Sequence, residues 1–193
     1  MSYSDHDDFF EQRRQLIISS AKNCFSRSGF HRASMAEISR ESGLGAGQIY
    51  RYFSSKELIV SETIKSIAVS WRVFLQENLP LQISTTHIID AQSSFWQDWP
   101  YQDRHLLLEM YSEASRNTVV REILAQQEQK LVAELHTLFE KNMPTASPQQ
   151  RSNRIHFLLM LVDGVVCRAF GDKNVDQQEL ARINSILSHH LFN

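Results

Sequence analysis

The chain has 193 residues, 42% of them hydrophobic and 22% charged, with a net charge of −2. That composition suits an ordinary globular protein able to bury a core, and the sequence holds no internal repeat or low-complexity segment. No apolar run is long enough to span a bilayer, and the leader MSYSDHDDFFEQRR lacks the apolar region of a signal peptide, so a cytoplasmic protein is expected.

Six glycines and four prolines leave few helix breakers, no stretch alternates like a strand, and the expected class is all-α. The first helix carries Ile17, Ile18, Ala21, Cys24 and Phe25 on one face, and Gly29 can supply a left-handed C-terminal cap. SMAE (34–37) is a capping box, with Ser34 as the cap and Glu37 reaching back; the short helix it opens ends near Gly43. A third helix must fit between Gly45 and about Phe53. SSKE (54–57) offers a second box with Ser54 as the cap, opening a long helix with apolar residues from Leu58 to Leu75. Beyond Pro80, helices are expected at about 83–98, 101–115, 117–142, 148–171 and 176–192. Pro100 and MPTASP (143–148) mark breaks, Pro148 suits a first turn, and DQQE (176–179) is a third capping box. Cys24 and Cys167 lie far apart inside apolar patterns and read as buried thiols.

Charge is uneven along the chain. From Gln12 to Lys56 there are eight Lys or Arg against two acids, Glu37 and Glu41, while the rest is acidic overall. A basic module on an acidic body suggests a polyanion partner. Within it, ESGLGAGQIYRYFSSKE (41–57) places three glycines beside a cluster of aromatics. Two short helices joined by about three residues with Gly43 in the turn have helix-turn-helix geometry, with Ile38, Leu44 and Ile49 as its small core and Ser39 and Ser42 small enough for the crossing. Gly45 is an acceptable N-cap, and Gly47 removes a side chain from the leading turn so that backbone can approach a surface. Such a leading turn enters the DNA major groove. Gln48 is the strongest base reader, its amide matching adenine in bidentate fashion, and Ala46 offers a methyl contact. Tyr50, Tyr52, Lys56 and Ser34 can contact phosphate, the tyrosines having core packing as their other reading; Phe53 has no polar tip and belongs to the core.

These residues carry a resemblance. AKNCFSRSGFHRASMAEISRESGLGAGQIYRYFSSKELI (21–59) resembles the DNA-binding domain of TetR/AcrR-type transcriptional regulators: Ala21, Phe25, Gly29 and Phe30, then Ser34, Ile38 and the Gly43 turn, then Tyr50, Tyr52, Phe53 and Lys56-Glu57-Leu58. The resemblance implies a homodimeric, ligand-responsive regulator, usually a repressor. The chain departs from that pattern at Gly45, where serine is common, at Ala46, where lysine or another polar residue is common, and at Ser39 and Ser42, where alanines are usual. The acidic DHDD makes a minor-groove arm unexpected at the extreme end, although Arg13 and Arg14 could approach phosphate. The expected division is a DNA-binding domain at 9–56 and a ligand-binding and dimerisation domain at 57–193.

In the second part, large apolar groups alternate with polar ones. Trp71, Phe74, Phe95, Trp96, Trp99, His105, Glu109, Tyr111, His156 and Met160 are the candidate ligand-binding set, each aromatic having core filling as its other reading. His105 and Glu109, four apart, read as a polar pair rather than a metal site, and no metal or cofactor is expected. IHFLLMLVDGVVCRAF (155–170) is apolar around most of its circumference, and the last helix repeats Leu180, Ile183, Leu187 and Leu191. A dimer seam through Phe157, Leu161, Val165, Arg168, Ile183, Leu187 and Leu191 would cover both, the other reading being the core of a monomer. The sequence reads as a non-enzymatic repressor released from a palindromic operator by a small apolar or aromatic ligand. The alternative is a related DNA-binding protein with an architectural or cell-cycle role and no inducer. No nucleophile–base pair, phosphate loop or metal cluster supports an enzyme.

Overall fold

The computed structural model describes residues 3–79, 88, 93–97, 99, 101–168 and 176–192, without the side chains of 3–6, 101, 102, 168, 177, 180, 188 and 190–192. Among the described residues every regular element is helical: α1 (Tyr3–Arg32), α2 (Met35–Ser42), α3 (Ala46–Ile49), α4 (Lys56–Asn78), a 3₁₀ turn (Ser94–Trp96), α5 (Tyr101–Ala114), α6 (Thr118–Asn142), α7 (Pro148–Arg168) and α8 (Gln177–Phe192). No helix among them is long and apolar enough to cross a membrane. The chain forms two compact units. One comprises the residues up to Val69 with His105–Leu124; the other comprises Ser70–Arg104 with the chain from Ala125 onward.

In the first unit, Ile17, Ile18, Ala21, Cys24 and Phe25 of α1 are all buried, as their helical spacing predicts. Gly29 interrupts α1 with φ 76° and ψ 165°. The positive φ fits the expected glycine, but the extended ψ is not the left-handed helical cap foreseen. That region of backbone space belongs almost wholly to glycine, and it turns the chain so that Phe30 meets Phe25 edge-on at 5.1 Å. Gly43 does hold the left-handed cap, closing α2 at φ 69° and ψ 10°.

Most helix starts obey local hydrogen-bond chemistry. Ser34 opens α2 through the expected reciprocal box. The cap of α4 is Ser55, not Ser54: the Leu58 N–H donates to Ser55 Oγ at 3.2 Å, so the helix begins one residue later than the SSKE pattern suggests. Ser147 caps α7 and exchanges hydrogen bonds with Gln150, with Pro148 in the first turn as expected. Asp176 caps α8 by accepting from the Gln178 and Glu179 N–H groups.

The expected helix at 83–98 falls mostly outside the described residues, and Ser94–Trp96 within it is a 3₁₀ turn rather than α-helix. Bonds of the i→i+3 type run from Trp96 N to Ser93 O and from Trp99 N to Trp96 O, a spacing that stacks residues three apart on one side. Trp96 and Trp99 thereby join Trp71, Phe74 and Phe95 in one buried aromatic cluster. The tail of the expected helix 148–171 also lies outside the described residues, beyond Arg168. Cys24 is buried, but Cys167 is exposed. In α7 the inward stripe is Ile155, Leu158, Val162 and Val166, and Cys167 falls on the opposite face with Met160 and Gly164.

Candidate nucleic-acid interface

The helix-turn-helix core is small and dry. Ile38 and Ile49 are fully buried and Leu44 nearly so, each worth roughly 1.5–3 kcal/mol of burial. Ser39 and Ser42, the two departures from alanine, bind the turn itself. Ser39 Oγ donates to the Leu44 carbonyl, and Ser42 Oγ accepts from the Leu44 N–H at 3.3 Å. The turn between α2 and α3 is therefore tied on both of its polar sides by hydroxyls, a role beyond the small size foreseen for them.

Out of this core stands α3, four residues long, with Gly45, Ala46, Gly47 and Gln48 all exposed. Gly45 is its N-cap at φ −62° and ψ 147°. Having no side chain, it cannot cap the helix itself; instead its N–H donates to Gln48 Oε1 at 3.0 Å. Gly47 has no neighbour within 4 Å of where a Cβ would stand, so nothing in the fold requires glycine there. After Ile49 the chain closes in tight turns, with Tyr50 N donating to Ala46 O and Phe53 N to Ile49 O.

The flanking candidates divide by what they already touch. Tyr50 is exposed. Tyr52 is half-buried against the Phe10 ring, 4.8 Å between centroids, and Phe53 is fully buried. Ser34 is exposed, but its hydroxyl donates to Glu37 Oε2 at 3.0 Å and accepts from the Glu37 N–H at 3.2 Å. The Ser34 backbone N–H and hydroxyl together hold the Glu37 carboxyl below its usual range. Lys56 Nζ donates to the His31 carbonyl at 2.8 Å, tying the start of α4 to the end of α1.

Arg14, read in the sequence as able to approach phosphate, is tied into the fold instead. Its guanidinium lies over the Phe53 ring at 4.5 Å, donates to the Tyr52 carbonyl at 3.1 Å and stands 3.6 Å from Glu62. Arg13 covers the Phe9 ring at 5.0 Å. A second cluster unforeseen in the sequence sits in the same unit. Glu113, buried, accepts from Arg116 at 2.7 Å, and His31 Nε2 lies 3.0 Å from the same carboxylate oxygen. Burial works against the Glu113 charge, yet Arg116, Asn117 and His31 together hold its carboxyl below the usual range. His31 lies 82 residues from Glu113 in sequence and no local motif joins them, which is why pattern reading misses the pair.

Residues 17–63 match the family model of bacterial regulatory proteins, tetR family. Over that segment the chain is similar to the tetR family. The HTH-type transcriptional regulator HbdR of Aromatoleum sp. (strain CIB) is 33% identical over 81 residues, which cover 42% of this chain and 34% of HbdR. BetI of Vibrio campbellii (strain ATCC BAA-1116), also an HTH-type transcriptional regulator, is 24% identical over 180 residues, 90% of this chain and 88% of BetI. The solved structure of Salmonella enterica GusR superposes with a TM-score of 0.66 at 23% identity, covering 93% of each chain, and shows the same fold. The matched segment runs from α1 through the start of α4 and contains the exposed α3 tip.

The residues considered for a ligand site divide between the two units. Trp71, Phe74, Phe95, Trp96 and Trp99 come together in the second, with ring centroids 4.9–6.4 Å apart. Arg104, buried and not foreseen, covers the Trp96 ring at 4.8 Å and donates to the Trp99 and Trp96 carbonyls. The Trp99 indole N–H is buried without a hydrogen-bond partner among the described residues. His156 and Met160 of α7 are exposed. His105, Glu109 and Tyr111 belong to the first unit, where Glu109 packs against Gly29. Among the described residues no group of three or more His, Cys, Asp or Glu side chains could hold a metal ion.

Of the residues considered for pairing, Phe157, Leu161, Val165 and Leu187 are half-buried and Ile183 is exposed. The side chains of Arg168 and Leu191 lie outside the described residues.

Proposed function

We propose that this chain is a homodimeric repressor that holds a near-palindromic operator and releases it when a small apolar or aromatic ligand binds. The carrying observation is the α3 tip, four exposed residues projecting from a fully buried helix-turn-helix core. In that reading residues 9–56 form the reading head, with Gln48 and Ala46 at base edges and Tyr50 on phosphate. Pairing is supported by Met160 (64% exposed), Ile183 (44%) and Ile186 (53%), large apolar side chains on the outer faces of α7 and α8. A twofold pair would set two tips on successive turns of one DNA face, which calls for an operator with matching half-sites.

The unpartnered Trp99 N–H beside four other aromatic rings supports an aromatic guest that carries a hydrogen-bond acceptor. Such a guest acts only through a difference in affinity between the DNA-holding and DNA-releasing states. A coupling of 1–3 kcal/mol, typical of such switches, changes operator affinity by roughly 5- to 150-fold.

The close mutual packing of those rings favours a second reading, a DNA-binding protein with an architectural or cell-cycle role whose second unit takes no guest. A gel shift decides between them. Duplexes selected from a random library are titrated with protein, with and without aromatic compounds that quench its three tryptophans. Tight quenchers that leave duplex affinity unchanged would exclude the inducer. Tyr50→Phe should weaken binding to all sequences alike, and Gln48→Ala should relax preference at one base pair.

A further inference from the structure

The Gly45–Gln48 hydrogen bond fixes which way the reading amide faces. A backbone N–H can only donate, so the partner 3.0 Å away must be the oxygen of the Gln48 side chain. The amide is thereby oriented by chemistry, with Oε1 turned to its own helix start and the two Nε2 hydrogens presented outward from an exposed residue. We infer that Gln48 reads DNA as a donor and selects guanine, and that adenine, the usual partner of a glutamine amide, is rejected at that position. The inference rests on the reading of α3 as the DNA-contacting tip and assigns the polarity of that contact.

The groove chemistry decides the base. Guanine shows two acceptors side by side, N7 and O6, and both can accept from an outward NH₂ group. Adenine shows one acceptor, N7, next to the N6 donor, so bidentate pairing needs the amide oxygen as well as the nitrogen. Here the oxygen is held by Gly45, and an outward NH₂ would face the adenine N6 hydrogens donor to donor. Oε1 keeps a second lone pair, but the oxygen is turned to the helix start, so taking adenine would require Gln48 to swing away from Gly45.

Two features of Gly45 make this testable. Its φ of −62° is the angle a proline ring imposes, and its N–H has no partner other than Gln48. Gly45→Pro therefore removes the donor that pins Oε1 without forcing a new angle on that residue. Gly45→Ala keeps the donor and adds a Cβ whose nearest neighbour is Gln48 Oε1 at 3.7 Å, an ordinary contact.

The experiment is selection from a random-sequence duplex library with the full chain, followed by competition between duplexes that differ at one base pair. The wild type and Gly45→Ala should prefer guanine over adenine about tenfold at one position of each half-site. Gly45→Pro should move that preference toward adenine. Gln48→Glu retains an oxygen for the Gly45 N–H but has no hydrogen to offer, so its guanine preference should vanish even if Gly45→Pro folds poorly. Adenine preferred by the wild type at the Gln48-dependent position overturns the inference, as does guanine preference that survives Gln48→Glu. Either result leaves the DNA-binding reading standing. A chain that binds no duplex at all overturns both.

Discussion

Gly47 separates folding from recognition at a single atom. It lies in the one turn of α3 with ordinary helical backbone and open space where a Cβ would stand. Gly47→Ala should therefore stabilise the free protein. Alanine in place of a helical glycine gains about 0.5–1 kcal/mol in a long helix, and the lower end suits a helix of four residues. For a chain of this size that is a rise of roughly 1–2 °C in Tm. With α3 in the groove as proposed, the same methyl would stand between backbone and DNA and push the tip outward by a large part of a carbon's width. Losing one well-placed base contact costs about 1–3 kcal/mol, so affinity for selected duplex should fall roughly tenfold. Thermal denaturation and fluorescence-anisotropy titration of the same preparation read both quantities. A variant that binds duplex as tightly as the wild type refutes the close approach of α3. A lowered Tm refutes the claim that glycine there serves no folding purpose.

The two positive-φ glycines among the described residues, Gly29 and Gly43, should not gain stability on substitution. Gly29→Ala meets a glycine-only conformation and places its Cβ 3.1 Å from Glu109 Oε1, so urea denaturation should show a loss of about 1–3 kcal/mol. Gly43 sits in left-handed backbone with no neighbour near a Cβ; Gly43→Asn should be nearly neutral in the same assay, and Gly43→Val should cost about 1–2 kcal/mol. Because folding holds the Glu113 carboxyl below its usual range, the unfolded chain takes up the proton first on acidification. Stability from that cluster is complete above the ordinary carboxylate range and is lost as pH falls through the folded value; in Glu113→Gln the urea midpoint should vary less across that window. Met160→Lys or Ile183→Lys should shift sedimentation toward single chains without lowering helix content, since both side chains are exposed in the free chain.

The parts legible in the sequence were those set by neighbours along the chain. Helical spacing placed the buried face of α1, SMAE gave the start of α2, and the glycine turn gave the helix-turn-helix. Local patterns also erred by small steps, as at Ser55, where two adjacent serines compete for one cap and hydrogen-bond geometry alone decides. Interactions across long sequence separations left no such trace. Arg14 joins Tyr52 and Glu62, and His31 joins Glu113, through side chains that any surface helix could carry. The orientation of Gln48 lay between these cases. Its spacing from Gly45 is that of a capping box, but a glycine cap hides the pattern, since it contributes no side chain of its own.

Arg14 bears on how the protein could answer a signal. One guanidinium grips the end of the α3 turn through Tyr52 and Phe53 while reaching Glu62 on α4. A twist delivered to the first turns of α4 therefore has a side-chain route to the end of the α3 turn that bypasses the backbone between them.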